Sequence, residues 1–423
     1  MQNIIRYLET RGALDNASAQ DLEKYLAQPK SFYLGFDPTA PSLHLGSLVG
    51  IVILKAFQNL GHKPYVLIGG ATARIGDPSG KSAERPLLTT EAIEANVASL
   101  TTFFQSLLTN NGSANQPIIV NNNTWFSDWT FIDFLRDIGK YFRMGPMFSK
   151  ESVKLRIASE EGMSFTEFSY QALQGYDFLH LFKSYGVTLQ LGGSDQWGNI
   201  TAGIELVRKK MGAKVYGLTF PLLTSADGKK MGKTASGAIW LSADKLSPFK
   251  FYQYLIQTKD ADVVLLLKML TLLEIEEIEA LAASMKRANY VPNTLQKRLA
   301  QEVTRFIHGE KGLQTALKAT EATKPGAATI LNKEALEAVA KDIPSYNLDN
   351  IAAQTFVEVA LKAGLVCSKS EAVRLVNNRG AYINNERVED PYYVFSKKDL
   401  IENTFILLAA GKKRKVLIRV AMH

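Results

Sequence analysis

Residues 33–47 read YLGFDPTAPSLHLGS, and this stretch decides the fold class. From Ser31 to Phe36 the chain is a run of aromatic and aliphatic residues of strand length, stopped by the turn pair Asp37-Pro38. From Leu43 to Gly61 apolar residues recur at helical spacing, which predicts a helix with His44 in its first turn. The pattern continues outward. Tyr65 to Ile68 predicts a buried strand closed by Gly69-Gly70, and Val187 to Leu191 a third strand ended by Gly192-Gly193. Strands alternating with helices predict an α/β, Rossmann-like, doubly wound parallel sheet with ligands at the carboxyl ends of its strands.

Between the second and third strands, residues 90–185 are too long for a simple connection and must carry structure of their own. The segment FIDFLRDIGKYF from Phe131 has helical spacing. A catalytic domain is therefore expected over 1–246, with a connective segment inserted at about 90–185. After Pro248 the pattern turns strongly helical, which predicts an α-helical domain over 247–320. Residues 321–350, with two prolines and few aromatics, read as a linker. Residues 351–423 read as a small basic α+β module. There, Ser368 is an N-cap with Glu371 at the capping-box position, and the helix stops before Gly380. A strand over Ala381 to Ile383, an Asn384-Asn385 turn and a closing strand pair around Gly411 to Lys415 follow.

A chain of 423 residues, 46% hydrophobic and 21% charged, suits more than one folded domain. Its formal net charge is +8. Residues 351–423 hold 12 Lys/Arg against 7 Asp/Glu, a net of +5, so more than half the excess lies in the last sixth and hints at a polyanionic partner there. The single cysteine, Cys367, excludes a disulfide or a Cys-based zinc site within the chain and fits a reducing, cytoplasmic setting. The opening MQNIIRYLETRGAL lacks the apolar core of a secretory signal. The longest apolar run, Val263 to Leu273, is broken by Lys268 and too short for a bilayer. GDPSGKS at Gly76 to Ser82 imitates a Walker A loop but has three residues between its glycines where four are needed. G-x-G-x-x-G after a strand, H-E-x-x-H and G-x-S-x-G are all missing.

Two segments carry chemistry. At the first, a helix start following a strand end offers backbone amides and a positive dipole to phosphate, with His44 close by. Gly46 leaves the backbone open to a flat base or ribose. The second, Ala226 to Thr234, sets lysines between glycines without any regular period, as expected of a basic loop that closes on a polyphosphate. Bland readings stand beside both: a structural histidine, and a solvated lysine turn. Tyr170, Gln174 and Asp177 share one helical face, which suits either ligand binding or core. Asp195 suits a ligand hydroxyl or a helix cap.

Taken together, His44-Leu45-Gly46-Ser47 and Lys230-Met231-Gly232-Lys233-Thr234 resemble the HIGH and KMSKS signatures of class I aminoacyl-tRNA synthetases. GFDPTAPSLHLGS, GGATARIGDPSGK, SFTEFSYQALQGYDF and LQLGGSDQWGNITAG resemble, in order, blocks of the bacterial-type tyrosyl-tRNA synthetases. The basic module is similar to the small RNA-binding domain that ends those enzymes.

The resemblance implies that tyrosine is activated with ATP, carried in with Mg2+, and transferred to the 3′ end of tRNA(Tyr), with no protein-bound metal or prosthetic group. It implies catalytic roles for Thr39, His44, Lys230 and Lys233 around the phosphates. Tyrosine would be held at its phenol by Tyr33 and Asp177, and at its ammonium by Asp77, Tyr170 and Gln174, with Gln196 nearby. ATP would meet Asp37, Gly46, Ser47, Gly193, Asp195, Met231 and Lys233. Arg374, Lys412, Lys413, Arg414 and Lys415 would meet tRNA, although such a run also serves to keep an edge strand soluble. Lys81 and Arg85 read either as phosphate neighbours or as solvated cations. A homodimer is implied, with Phe131 to Met147 as contact face; an intramolecular core helix would have the same pattern. Four departures stand out: Ser47 for the second histidine of HIGH, Gly232 and Thr234 for the serines of KMSKS, Leu34 for a polar ribose contact, and Ala73-Arg74 for Gly-Leu. The residues leave open another nucleotidyl-transferring enzyme of this superfamily, or an RNA-binding protein derived from it.

Overall fold

The computed structural model describes residues 3–81, 87–109, 113–160, 162–228, 231–234, 237–324, 326, 336, 340, 342–411 and 414–420. The chain forms two compact units, Met1–Lys245 with Thr258–Leu299, and Leu246–Gln257 with Ala300–His423. This division runs through residues 247–320. The helices Asp260–Leu270 and Ile275–Ser284 belong to the first unit, and Pro248–Ile256 to the second.

The first unit is built on a six-stranded sheet of β1 (Asn16–Ala17), β2 (Ser31–Phe36), β3 (Lys63–Ile68), β4 (Ile118–Asn121), β5 (Leu189–Gly193) and β6 (Tyr216–Phe220). Its order is β1-β6-β5-β2-β3-β4. The strands β2 to β6 run parallel, and β1 pairs antiparallel with β6. From β2 the chain steps outward to β3 and β4, then returns to lay β5 on the other side of β2. The order therefore reverses between β2 and β5, where a parallel sheet opens a crevice at its carboxyl edge. The helix Leu48–Asn59, apolar on almost every side, is buried between β2 and β3 in sequence. A Cβ at Gly50 would stand 2.9 Å from Phe220 Cζ and 3.0 Å from Leu34 Cδ2, so glycine lets this helix close onto the sheet.

The helix expected from Leu43 begins later. His44 is extended (φ −118°, ψ 171°) and bridged to Trp240, while the Leu45 amide donates to the Ile239 carbonyl at 2.8 Å. Pairing with that strand-like segment delays the helix to a 3-10 turn, Leu45–Ser47, and then Leu48. A short pair, β7 (Lys233–Thr234) and β8 (Gly237–Ala238), lies just before Ile239.

Arg11 ties the amino-terminal helix Ile4–Thr10 to the end of Asp260–Leu270. Its guanidinium, 3% exposed, donates to the carbonyls of Lys268 (3.1 Å), Thr271 (3.0 Å) and Leu273, and lies 4.2 Å over the Tyr7 ring. Lys268 lies in the last turn of the helix Asp260–Leu270, Thr271 is its C-cap and Leu273 follows it, so one buried guanidinium serves three main-chain acceptors at the helix exit. Arg11→Ala is expected to cost about 3 kcal/mol and lower the melting temperature by roughly 6–12 °C. An unchanged thermal unfolding curve would contradict this.

The second unit ends in a five-stranded sheet: β9 (Ser345–Leu348), β10 (Ala381–Ile383), β11 (Glu386–Arg387), β12 (Phe405–Ala410) and β13 (Arg414–Val420), in the order β11-β10-β12-β13-β9. Phe356–Lys362 and Lys369–Asn377 pack over it around Phe356, Leu408 and Ile418. The module starts earlier than residue 351, because β9, inside the stretch read as linker, pairs in parallel with β13. Asn384 and Asn385 both have positive φ (49° and 71°), as a two-residue hairpin turn requires. Ser368 caps its helix, but Glu371 accepts from the Cys367 amide at 2.8 Å and not from that of Ser368.

Candidate active site

At the carboxyl edge between β2 and β5 lies a cavity of about 450 Å³. Twelve of the residues read from the sequence line it: Tyr33, Asp37, Thr39, His44, Ser47, Asp77, Tyr170, Gln174, Asp177, Gly193, Asp195 and Gln196. They come from four stretches of chain, joined here because each stretch follows or approaches a strand end. Lys81 lines it too, whereas Lys230 and Arg85 lie outside the described residues.

One end is apolar and holds two buried polar groups. Tyr33, on β2, is 1% exposed, packs edge-on against Phe178 at 5.4 Å, and its hydroxyl has no hydrogen-bond partner among the described residues. Asp177, 2% exposed, projects from the helix Phe165–Tyr185. It accepts from Trp125 Nε1 at 2.9 Å and Asn122 Nδ2 at 3.2 Å. Burial pushes its carboxyl up to about 8, against the pull of those two donors. Burial, and then the Asp177 charge, raise the Tyr33 phenol well above its ordinary range. A buried hydroxyl and a buried carboxylate facing one cavity fit a ligand group that both accepts and donates, such as a phenol.

The middle of the cavity is acidic. The Tyr170 hydroxyl donates to Asp37 at 2.8 Å, and Thr72 Oγ1 donates to the other Asp37 oxygen at 2.7 Å. A Cβ on Gly69 would collide with both Asp37 and Thr72, so this contact needs a glycine there. Asp77 accepts from Gln196 Nε2 at 2.7 Å and from the Ser79 amide at 3.0 Å. Asn199 Nδ2 reaches Gln174 Oε1 at 3.0 Å. Burial, followed by the charges of Asp37 and Asp77, raises Tyr170 well above its usual range. Two carboxylates flanking one phenol favour a cation.

At the mouth, His44 Nδ1 accepts from the Gly46 amide at 3.0 Å. The backbone lying over Gly46 is that of Met231 and Gly232. Gly232 has φ +99°, and a Cβ there would sit 2.9 Å from the Gly46 nitrogen. The departure from serine at 232 thus permits the two signature segments to meet backbone to backbone. Lys233 enters β7 through its backbone. Asp195 is not spent as the cap of Trp197–Met211, which has no side-chain cap.

Thr72, Asn122, Trp125, Gln190 and Asn199 escaped the sequence reading. Asn122 and Trp125 follow β4, whose run Ile118-Ile119-Val120 before three asparagines was the available signal.

In the second unit Arg374 is exposed, Arg414 pairs with Glu371 at 3.1 Å, and burial lowers the half-buried Lys415 to about 8. Two of the expected phosphate contacts are thus already engaged or partly withdrawn, and Lys412 and Lys413 lie outside the described residues.

A family model described as tRNA synthetases class I (W and Y) matches residues 26–323, and one for the Tyrosine--tRNA ligase SYY-like C-terminal domain matches residues 335–418. The tyrosine–tRNA ligase of Protochlamydia amoebophila is 52% identical over 422 residues, covering 99% of both chains. The chloroplastic/mitochondrial enzyme of Arabidopsis thaliana is 50% identical over 428 residues, covering 99% of this chain and 84% of that one. Among solved structures, a C-terminally truncated mitochondrial tyrosyl-tRNA synthetase of Coccidioides posadasii superposes with a TM-score of 0.64 at 33% identity, covering 75% of this chain and 92% of that one. Sheet order, strand-edge cavity and these likenesses define a class I tRNA synthetase fold. Within that class the chain belongs to the tyrosine–tRNA ligase family.

Proposed function

We propose that this protein activates L-tyrosine with ATP, forming tyrosyl-adenylate and diphosphate, and then transfers tyrosine to the 3′ end of tRNA(Tyr). The observation that carries the reading is the buried Tyr33 hydroxyl, without a partner among the described residues, sharing the cavity lining with the buried Asp177. The phenol of tyrosine donates to Asp177 and accepts from Tyr33. Its ammonium lies among Asp77, Tyr170 and Gln174, with Gln196 holding Asp77; the contact of Tyr170 with Asp37 supports adding that carboxylate's field. Tyrosine's carboxylate is already ionised at neutral pH, so no base is needed to make the nucleophile. What remains is alignment on the α-phosphorus and charge relief on the leaving diphosphate.

Thr39 and His44, with Lys230 and Lys233 from the basic loop, serve that second task, and Mg2+ arrives with the polyphosphate as part of the substrate. Lys81 lies well for the same task, supported by its place in the cavity wall. Asp37, Gly46, Ser47, Gly193, Asp195 and Met231, with Lys233 shared, take the rest of ATP. Residues 1–246 remain the catalytic part, and the basic carboxyl-terminal module, counted from β9, takes tRNA in a cytoplasmic setting.

Amino-acid-dependent exchange of labelled diphosphate into ATP tests the reading. Exchange is expected with tyrosine and not with tryptophan or phenylalanine. Exchange driven equally by tryptophan would favour a different enzyme of the superfamily, and none at all would favour an RNA-binding protein.

A homodimer completes the reading. The helix Phe131–Asp137 has no buried residue; Phe131 and Ile132 are 64% and 69% exposed, which disfavours an intramolecular core helix. Met144 and Phe148, within or next to the same expected contact stretch, are also exposed, at 53% and 44%, and large apolar side chains are unfavourable to leave in water. Ile132→Asp is expected to convert dimer to monomer in sedimentation equilibrium. A variant as dimeric as the parent would remove this face from the interface.

A further inference from the structure

The helix Thr90–Leu108 presents one buried stripe: Ile93, Asn96, Leu100, Phe104 and Leu108. Four of these are apolar, at spacings of three or four residues, as a helix packed on a sheet requires. The fifth is an asparagine. Asn96 is 8% exposed, at a position where leucine would continue the stripe. Burying an amide is unfavourable unless a partner compensates it. The partner is a single backbone carbonyl: Asn96 Nδ2 donates to Pro38 O at 2.9 Å.

Pro38 is the middle of a tight turn leaving β2, in which the Thr39 amide donates to the Asp37 carbonyl at 2.8 Å. The turn is restrained on both sides. Thr72 and Tyr170 hold the two oxygens of Asp37, and Asn96 holds the next carbonyl. Phe104, two turns along the same helix, packs on Phe36 at 4.7 Å, just ahead of the turn. Proline fixes its own φ but not the rotation of the peptide plane that follows, which carries Thr39. The Asn96 amide restrains that plane.

We infer that Asn96 is a positioning residue for adenylate formation, holding the Pro38 carbonyl so that Thr39 faces the phosphates at the cavity mouth. This rests on the proposed role of Thr39. A misplacement of about 1 Å in a group that stabilises a transition state can cost about 100-fold in rate, with little effect on ground-state binding.

The test is a cycle of Asn96→Leu, Thr39→Ala and the double variant in the full chain. The readouts are single-turnover adenylate formation, tyrosine affinity and thermal unfolding. Asn96→Leu is expected to slow adenylation about 10- to 100-fold per tyrosine-binding site, with tyrosine affinity within about twofold. The double variant should be no slower than Thr39→Ala alone. Asn96→Asp, isosteric but presenting an acceptor to the carbonyl when ionised, should reproduce the slowing should the leucine variant fail to fold. Unchanged adenylation in a folded Asn96 variant overturns the inference, and so do rate losses that multiply independently in the double variant. Thr39→Ala that reacts at the parental rate defeats the reading of Thr39 itself, and that result is visible without any Asn96 variant.

Discussion

Asp177→Asn is expected to do two opposite things: to weaken the choice of tyrosine over phenylalanine, and to raise the stability of the unliganded protein above neutral pH. The first effect follows from what phenylalanine leaves behind. With no ligand hydroxyl, the Tyr33 hydroxyl stays buried without a partner among the described residues, and the buried Asp177 keeps only the Trp125 and Asn122 donors, its remaining acceptor capacity unused. Each such group costs about 1–3 kcal/mol, more when charged, so the pair supports discrimination on the order of 10²–10⁴. An amide in place of the carboxylate cannot draw in the phenol proton as a charge does, and the ratio should fall by at least about tenfold. Comparing kcat/KM for diphosphate exchange with the two amino acids checks this. An unaltered ratio would falsify the assignment of Asp177.

The second effect has a definite sign. The folded carboxyl is raised to about 8 by burial, whereas an unfolded aspartate titrates near about 3.9. A group whose folded pKa is raised contributes stability that is fully present below about pH 4. That contribution is lost progressively as pH climbs to about 8. Asparagine has no such loss. The variant should therefore match the parent near pH 4 and melt several degrees higher at pH 8 and above. Tyrosine binding runs the other way, because a donating phenol favours the ionised carboxylate. Tyrosine affinity should tighten between pH 6 and 8 in the parent and stay flat in Asp177→Asn. A site kept at the expense of stability has been shaped by its ligand.

The residues of this pocket were readable in the sequence for a physical reason. Glycines, prolines and polar groups collect at the carboxyl ends of parallel strands, so Asp37, Gly69 and Gly193 announced both the sheet and its crevice. Tyr170, Gln174 and Asp177 could be grouped by helical period, though the period alone could not tell ligand from core; the cavity they line makes that distinction. What hid was the support. Asn122, Trp125 and Thr72 act through contacts across 35 to 55 residues of chain, as in Thr72 to Asp37 at a separation of 35 and Asn122 to Asp177 at 55, and local pattern does not carry such pairs. The start of the helix after His44 was missed for a related reason. Bridging to Trp240, nearly two hundred residues away, overrides an apolar period that favours helix. The linker reading of 321–350 failed at β9, whose SYNL sequence becomes a strand by pairing with β13.

His44→Ala is expected to slow tyrosyl-adenylate formation by about 10²–10³-fold, the usual loss for one donor aimed at transition-state charge, with tyrosine affinity within about twofold. The direction of its donor can be deduced from the fold. Nδ1 accepts the Gly46 amide, so in the neutral ring the proton must sit on Nε2. The extended backbone of His44, bridged to Trp240, sets the ring at the cavity mouth, and the helix Leu48–Asn59 starts immediately behind it. An N–H donor ahead of a helix amino end is complementary to oxygen bearing negative charge. The competing account is that His44 serves only to cap the Leu45–Ser47 turn. His44→Asp separates the two. Aspartate caps a helix start at least as well as histidine, but it offers no donor and repels phosphate. A capping role alone predicts that the aspartate variant keeps its adenylation rate. A donating role predicts that it is at least as slow as the alanine variant while melting at or above it. A fast aspartate variant would leave the mouth of this cavity without its histidine donor, and charge relief on diphosphate would then fall to Thr39, Lys81 and the loop lysines.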